Sequence, residues 1–210
     1  MVLAKIQVSF TFLALLFTNG VIGIDAPIPG YDVVTIPWSL SPSPGAPAEI
    51  FEGTVEEVLS SVLEKNPNFY QDFGISDHEV TNTTPKRDES GLIEKRDTVN
   101  CNPNPNWHSA YLNGIQQGIS YLRGVPGQPQ RGPGPGSCGR VSCSYQCAIW
   151  WCNDNTFTKV LPSFNSIADG AQLIVNQCTT KDPIDNLYEF VRGQDFHSDG
   201  WNVIVRLDSC

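Results

Sequence analysis

The position of the cysteines constrains this chain more than any other feature of its sequence. There are 7 cysteines in 210 residues, and the first of them is Cys101. Residues 97–210 therefore hold all of them, in a stretch short enough to bury only a modest core. Disulfides compensate for a modest core because they restrict the unfolded chain. The sequence predicts a disulfide-stabilised mature domain over residues 97–210, preceded by sequence of a different kind.

Metal binding is the other use of clustered cysteines, and the spacing disfavours it. The four central cysteines follow the pattern Cys138-x4-Cys143-x3-Cys147-x4-Cys152, which lacks the C-x2-C pairs of zinc sites. We therefore predict disulfides, with no metal ligands and no cofactor. The candidate disulfide residues are Cys101, Cys138, Cys143, Cys152, Cys178 and Cys210.

An odd number of cysteines leaves one without a partner in its own chain. Residues 141–152 alternate as a single strand would, which places Cys147 in mid-strand on the apolar face with Val141 and Ile149. A small buried thiol is stable in such a place without a partner. We predict that Cys147 is the free thiol.

Residues 1–23 have the features of a secretory signal peptide. Lys5 supplies a positive charge, an apolar run covers residues 6–17, and Val21 and Gly23 suit a cleavage site. The run is shorter than the roughly 20 apolar residues that a membrane-spanning helix needs. We expect the protein to be secreted and extracellular, in a compartment where disulfides form.

Residues 24–96 form an acidic, cysteine-free segment with 13 acidic and 5 basic side chains. Two dibasic pairs lie toward its end, Lys86-Arg87 and Lys95-Arg96. The second resembles the sites cut by the kexin-type proprotein convertases of the secretory pathway, although dibasic pairs are also common on solvated surfaces. We expect cleavage after Arg96, and we interpret residues 24–96 as a disordered pro-segment that is removed.

The pro-segment carries three further signals. Asn82 begins an Asn-Thr-Thr glycosylation sequon, so we expect only the precursor to be a glycoprotein. Prolines make the first half of the segment extended and loop-like. Farther along, apolar residues at helical spacing predict one short acidic helix, with its stripe at Val55, Val58, Leu59 and Val62.

Apolar periodicity predicts two helices and a closing strand in the mature domain. The second helix begins after Ser163, and the strand covers residues 201–207. Gly114 and Gly118 share one face of the first helix, which would let another element pack closely. The order of elements predicts an α+β fold, with two helices on one face of a small antiparallel sheet. The first helix has its apolar stripe at Leu112, Ile115, Ile119 and Leu122.

Charge and motifs exclude several classes of function. The chain has 13 basic and 22 acidic side chains and a formal net charge of −9, whereas nucleic-acid binding needs clustered positive charge. The sequence contains no G-x-S-x-G, H-E-x-x-H or P-loop motif. We therefore predict a protein that is not an enzyme and that binds no nucleic acid.

Trp150 and His197 are the candidates for a binding surface. Trp150 and Trp151 are adjacent, so in a strand they point to opposite faces. If Trp151 belongs to the core, Trp150 either packs under a second layer or is exposed. An exposed Trp150 would be a stacking platform for a sugar or a hot spot for a protein. For His197, a hydrogen-bonded turn residue is favoured over a catalytic base.

Four stretches of the mature domain carry a resemblance: 137–145 (SCGRVSCSY), 149–154 (IWWCND), 193–196 (GQDF) and 201–206 (WNVIVR). Through them the chain resembles a group of small secreted cysteine-rich proteins of ascomycete fungi, over about residues 101–210. The closing pattern is also similar to fungal killer toxins with α/β-sandwich folds, although the cysteine spacing differs. Members of these groups include host-directed virulence effectors and toxins, and the resemblance supplies no catalytic residues.

The sequence thus predicts a secreted, convertase-processed effector or toxin-like protein that acts by binding. The expected partner is a host protein, a membrane or a cell-wall glycan. The alternative is a cell-wall or carbohydrate-binding module that uses an exposed tryptophan, and an enzyme comes third.

Overall fold

The computed structural model describes residues 24–75 and 98–210. The predicted signal peptide over residues 1–23 lies outside this part of the chain. The sequon at Asn82 and the dibasic pairs Lys86-Arg87 and Lys95-Arg96 lie outside it as well.

Helices and strands alternate along the described residues. The helices are α1 (Val55–Lys65), α2 (Phe69–Asp72), α3 (Leu112–Arg123) and α4 (Asn165–Cys178). The strands are β1 (Asp32–Val33), β2 (Pro37–Leu40), β3 (Glu49–Glu52), β4 (Thr98–Asn100), β5 (Ala110–Tyr111), β6 (Gln130–Arg131), β7 (Ser137–Ser144), β8 (Cys147–Asn153), β9 (Lys159–Val160), β10 (Thr180–Lys181), β11 (Glu189–Val191), β12 (Gly193–His197) and β13 (Trp201–Leu207). The prediction of mixed helix and strand content is confirmed.

The main sheet has six strands in the order β1-β7-β8-β13-β12-β4. Its edge strand β1 runs parallel to β7, and the other pairs are antiparallel. The prediction of a small antiparallel sheet is therefore wrong in size and at this edge. Neither edge strand could be predicted from apolar periodicity. Strand β1 has only two residues and lies in the presumed pro-segment, and the three-residue β4 has no apolar run. Three smaller sheets are β10-β11-β5, β2-β3 and β6-β9.

The segment that alternates over residues 141–152 is a hairpin and not the single strand predicted. The chain reverses between β7 and β8 at Tyr145 and Gln146, which have φ values of 50° and 62°. Two consecutive positive φ values are typical of tight hairpin turns, where Asn and Gly are the usual residues. The hairpin pairs Cys147 with Ser144 and Ala148 with Cys143, which places Cys143 on the opposite face of the sheet from Cys147.

Helices α3 and α4 pack together on one face of the main sheet. Both match the predicted helices because their apolar stripes are buried there. The close approach expected at the two glycines of α3 is confirmed. A Cβ on Gly114 would lie 2.5 Å from Sγ of Cys147, and one on Gly118 would lie 3.1 Å from Cδ1 of Ile149.

Residues 24–75 are folded, so the prediction of a disordered pro-segment is wrong for them. Helix α1 packs against β7 and α3, and the indole of Trp38 stacks on the ring of Phe164 with centroids 4.2 Å apart. The segment contributes to the same core as the mature domain through Ile36, Trp38, Leu40, Phe51, Val55, Val58, Leu59, Val62 and Phe69. The prolines led to the expectation of an extended, loop-like segment. Several of them lie in the connection between β2 and β3, where they do not interrupt a strand.

The predicted acidic helix is present as α1, and its start has a local explanation. Thr54 precedes the helix, and its backbone N–H donates to the carboxylate of Glu57 at 2.7 Å. This is half of a capping box, which satisfies a backbone donor that the helix leaves unpaired. The acidic first turn, with Glu56 and Glu57, also suits the positive end of the helix dipole.

Three disulfides cross-link the cysteine-rich part, which confirms the disulfide prediction. They join Cys101 to Cys178, Cys138 to Cys152, and Cys143 to Cys210. The first ties the chain just after β4 to the end of α4, and the second links adjacent strands β7 and β8. Among the described helices, none is long and apolar enough to cross a bilayer.

Candidate functional site

Trp150 is fully buried, so of the two alternatives left open by the sequence it packs under a second layer, and it is not an exposed binding surface. It packs on the face of the sheet opposite the helices, in a cluster with Trp107 and Ile204. Its indole N–H donates to Oδ2 of Asp208 at 3.1 Å. The layer over this cluster includes Ile28, Tyr31 and Val33. These three residues belong to the segment interpreted from the sequence as disordered, so that interpretation gave no reason to expect a layer here.

His197 lies at the end of β12 beside a buried carboxylate. Its Nε2 is 3.1 Å from Oδ2 of Asp195, whose side chain is completely buried. Neither carboxylate oxygen accepts a hydrogen bond from a described residue. The imidazole also stacks on the indole of Trp201, with ring centroids 3.5 Å apart. The ring is therefore held between the carboxylate and an aromatic plane.

This arrangement resembles the base-and-orienter part of a nucleophilic site, which also needs a nucleophile within hydrogen-bond reach. The helix α4 packs against the pair at Gly170, where a Cβ would lie 3.2 Å from Asp195 and 3.3 Å from His197. Val203 and Trp201 complete these contacts, and none of the three residues carries a nucleophile. These contacts favour a packing role where α4 meets the sheet over a catalytic dyad.

The pair predicts a non-additive mutational effect. We expect His197→Ala to lower the free energy of unfolding by about 2 kcal/mol, because it removes the ring that stacks on Trp201 and leaves the buried Asp195 carboxylate without its neighbour at 3.1 Å. Adding Asp195→Asn should recover part of that loss, since the amide carries no charge. Urea unfolding of the two single variants and the double variant measures this coupling. Strictly additive losses would contradict an energetic coupling between the two side chains.

A chain of polar side chains crosses the other face of the sheet. Gln194 donates to Asn202 at 3.0 Å, and Asn202 donates to Asp154 at 2.7 Å. The phenol of Tyr31 donates to the second oxygen of Asp154 at 2.9 Å. Burial, the hydrogen bond and the negative charge of Asp154 together raise the pKa of Tyr31 to about 12. This contact links the N-terminal segment to the loop that follows β8.

The Tyr31 contact predicts a loss of stability at alkaline pH. The phenol keeps its proton to about pH 12 in the folded protein, whereas an unperturbed tyrosine loses it near pH 10. The unfolded chain therefore binds fewer protons between these values, and the free energy of unfolding falls as the pH rises through them. Tyr31→Phe should flatten this slope in urea titrations. An identical slope in the variant would contradict the assignment.

An exposed aromatic surface lies elsewhere, on the small sheet of β10, β11 and β5. We define the aromatic surface as Tyr111, Tyr188 and Phe190. The Tyr111 ring lies 4.9 Å from that of Phe190 and 6.1 Å from that of Tyr188. Tyr111 is 49% exposed and Tyr188 is 54% exposed. Sequence reasoning missed this surface, because Tyr111 and Phe190 are far apart in the sequence. Their rings come together only because β5 pairs with β11.

The loop between β10 and β11 extends the aromatic surface with aliphatic side chains. Ile184 is 91% exposed and Leu187 is 78% exposed. Local hydrogen bonds order this loop, since the carboxylates of Asp182 and Asp185 accept from the backbone N–H groups of Ile184 and Leu187. The exposed Lys181 precedes Asp182, so this part of the chain carries charges of both signs. The exposed rings and the aliphatic side chains of the loop next to Tyr188 are the kind of apolar surface that is typical of an interaction site.

Cys147 is buried and takes part in none of the three disulfides. Its Sγ lies 3.5 Å from the carbonyl oxygen of Tyr111 and 3.4 Å from that of Tyr145. Burial raises the pKa of the thiol, which disfavours the reactive thiolate. The residue therefore fills space between α3 and the β7–β8 turn, as a buried thiol does.

Within residues 24–75 and 98–210, no group of three or more His, Cys, Asp or Glu residues is arranged to hold a metal ion. Comparison of the chain with protein-family models, curated proteins and solved structures finds no match.

Proposed function

We propose that this chain is a secreted, convertase-processed protein that acts by binding, as a virulence effector or a toxin-like factor, and that it is not an enzyme. The aromatic surface replaces Trp150 as its contact region. The partner is a protein of the host or of a competitor, with an apolar site. Disulfides support this proposal because they suit a small domain exposed to an oxidising environment.

One observation carries the proposal: Tyr111 and Tyr188 are each about half exposed, and Leu187, which precedes Tyr188, is 78% exposed. Exposed tyrosines contribute large contact areas at a low cost in conformational entropy. The loop carrying Leu187 is ordered by its own hydrogen bonds, so binding orders little additional chain. An ordered surface that exposes apolar side chains favours a protein partner.

The orientation of the rings distinguishes a protein partner from a polysaccharide. The plane of Tyr111 makes an angle of 72° with that of Tyr188 and 38° with that of Phe190. A flat sugar chain stacks best on coplanar rings, whereas tilted rings form a pocket for a protein side chain. A carbohydrate-binding role remains the second candidate function, and it is supported by the exposure of both tyrosines.

The test is a double substitution, Tyr111→Ser with Tyr188→Ser, in the purified processed protein. Infiltrated into host tissue, the variant should need a dose about tenfold higher or more to cause cell death, as loss of a hot spot predicts. Phe157→Ser is the matched control, because Phe157 is 61% exposed but lies outside the aromatic surface. Equal activity of the double variant and the original protein would contradict the assignment.

Pull-down on chitin and on glucan separates the second candidate from the first. We expect no retention of the original protein on either polysaccharide. Retention that the Tyr111→Ser, Tyr188→Ser variant loses, and that Phe157→Ser keeps, would instead identify a cell-wall-binding module.

A further inference from the structure

No disulfide joins the two parts of the chain that the dibasic pairs separate. All three bonds lie within residues 101–210, whereas Lys95-Arg96 precedes them. We infer that cleavage after Arg96 produces a two-chain protein, in which the N-terminal chain stays bound to the cysteine-rich chain without a covalent link. The inference rests on the processing proposed above. It means that the segment before Arg96 is a subunit of the mature protein and is not discarded after cleavage.

The apolar part of the contact is the first reason. Trp38 is fully buried and stacks on Phe164, next to the start of α4. On α1, Val58 and Val62 are fully buried in the same cluster as Ile115 of α3. Release of the N-terminal chain would expose both sides of this core to water, which is unfavourable in proportion to the apolar area uncovered.

Buried polar contacts add specificity. One oxygen of the Glu56 carboxylate accepts from the hydroxyl of Ser142 at 2.5 Å, and the other accepts from the backbone N–H of Cys143 at 3.1 Å. The guanidinium of Arg131, which is 3% exposed, donates to the carbonyl oxygen of Val34 at 3.2 Å. Each of these groups would lose a partner if the chains separated.

The N-terminal chain also reaches both faces of the main sheet. Its strand β1 lies on the edge, where the N–H of Asp32 donates to Gly136 at 2.7 Å and that of Val34 donates to Cys138 at 2.9 Å. Beyond this edge, the indole of Trp107 donates to the carbonyl oxygen of Pro27 at 2.9 Å. The chain therefore holds the sheet from the edge as well as from each face. In the two-chain protein the Trp107 cluster stays covered, and the aromatic surface stays accessible.

The test is digestion of the purified full chain with a kexin-type protease, followed by mass spectrometry under native and denaturing conditions. We expect two masses in denaturant without reductant, and one mass equal to their sum under native conditions. Recovery of folded 97–210 alone under native conditions would overturn the inference. A second sample carries the site of an unrelated protease in place of residues 92–96, so association is measured whichever protease cuts. Failure of the kexin-type protease to cut would contradict only the proposed processing.

A matched pair of substitutions locates the contact. Glu56→Gln should weaken the association of the two chains by about tenfold or more, because charge-assisted hydrogen bonds are lost. Glu52→Gln changes an exposed carboxylate of β3 in the same chain and should leave the affinity unchanged. Dilution of the cleaved two-chain protein, with the bound and free chains quantified by native mass spectrometry, measures both affinities. Equal affinities for the two variants would overturn the interface described here.

Discussion

Replacing Trp38 with alanine is expected to lower the free energy of unfolding of the entire described fold by about 3–5 kcal/mol, the usual cost of truncating a large buried aromatic residue. Trp38 is fully buried, stacks on Phe164 and donates its indole N–H to Gly53 at 2.9 Å. Because Phe164 belongs to the cysteine-rich part, the loss should appear in that part as well. Urea unfolding followed by near-UV and far-UV circular dichroism measures it.

The control is Ile50→Ala in the hairpin that contains Trp38. Ile50 pairs with Ser39, next to Trp38, but is 65% exposed, so its truncation should change stability by about 0.5 kcal/mol or less. We expect a single transition for both variants, with only the Trp38→Ala midpoint strongly lowered. Two separate transitions, of which only the first moves, would show that residues 24–75 fold independently.

Removing the disulfide between Cys101 and Cys178 should have an effect of similar size. The bond closes a loop with a sequence separation of 77, and the loss of chain entropy in the unfolded state predicts a contribution of about 4–5 kcal/mol. The double variant Cys101→Ala, Cys178→Ala should therefore unfold at a much lower urea concentration. Intact mass with and without reduction verifies that the other two bonds form.

Cys147→Ala is the matched control, since it removes a buried sulfur that forms no disulfide. It should cost about 1 kcal/mol, as expected for the loss of one small buried group. If the double variant lost no more stability than Cys147→Ala, the cross-link would contribute nothing beyond packing. That outcome would contradict the stabilising role assigned to the disulfide.

Local periodicity predicted the elements that bury one continuous stripe. Helices α1, α3 and α4 and strand β13 all follow from apolar residues at regular spacing. The turn between β7 and β8 did not, because Tyr145 and Gln146 are not the residues that usually adopt positive φ values. When apolar and polar residues alternate on both sides of a two-residue turn, the sequence pattern cannot be distinguished from that of one long strand.

The candidate site depended on contacts between distant parts of the sequence. Alternation correctly placed Trp150 and Trp151 on opposite faces, but whether Trp150 was covered depended on Ile28 and Tyr31, in the segment interpreted as disordered. The aromatic surface depended on the pairing of β5 with β11. Neither relation has a local signal in the sequence, because each arises from the packing of the whole chain.

Amide hydrogen exchange of the intact chain tests the central claim, that residues 24–75 and 98–210 share one core. The comparison is between the amides of Val58 and Val62 in α1 and those of Ile149 and Trp151 in β8, all fully buried residues. We expect both groups to exchange through the same global opening, with equal free energies. Exchange of the α1 amides at a much lower opening free energy than those of β8 would contradict the shared core.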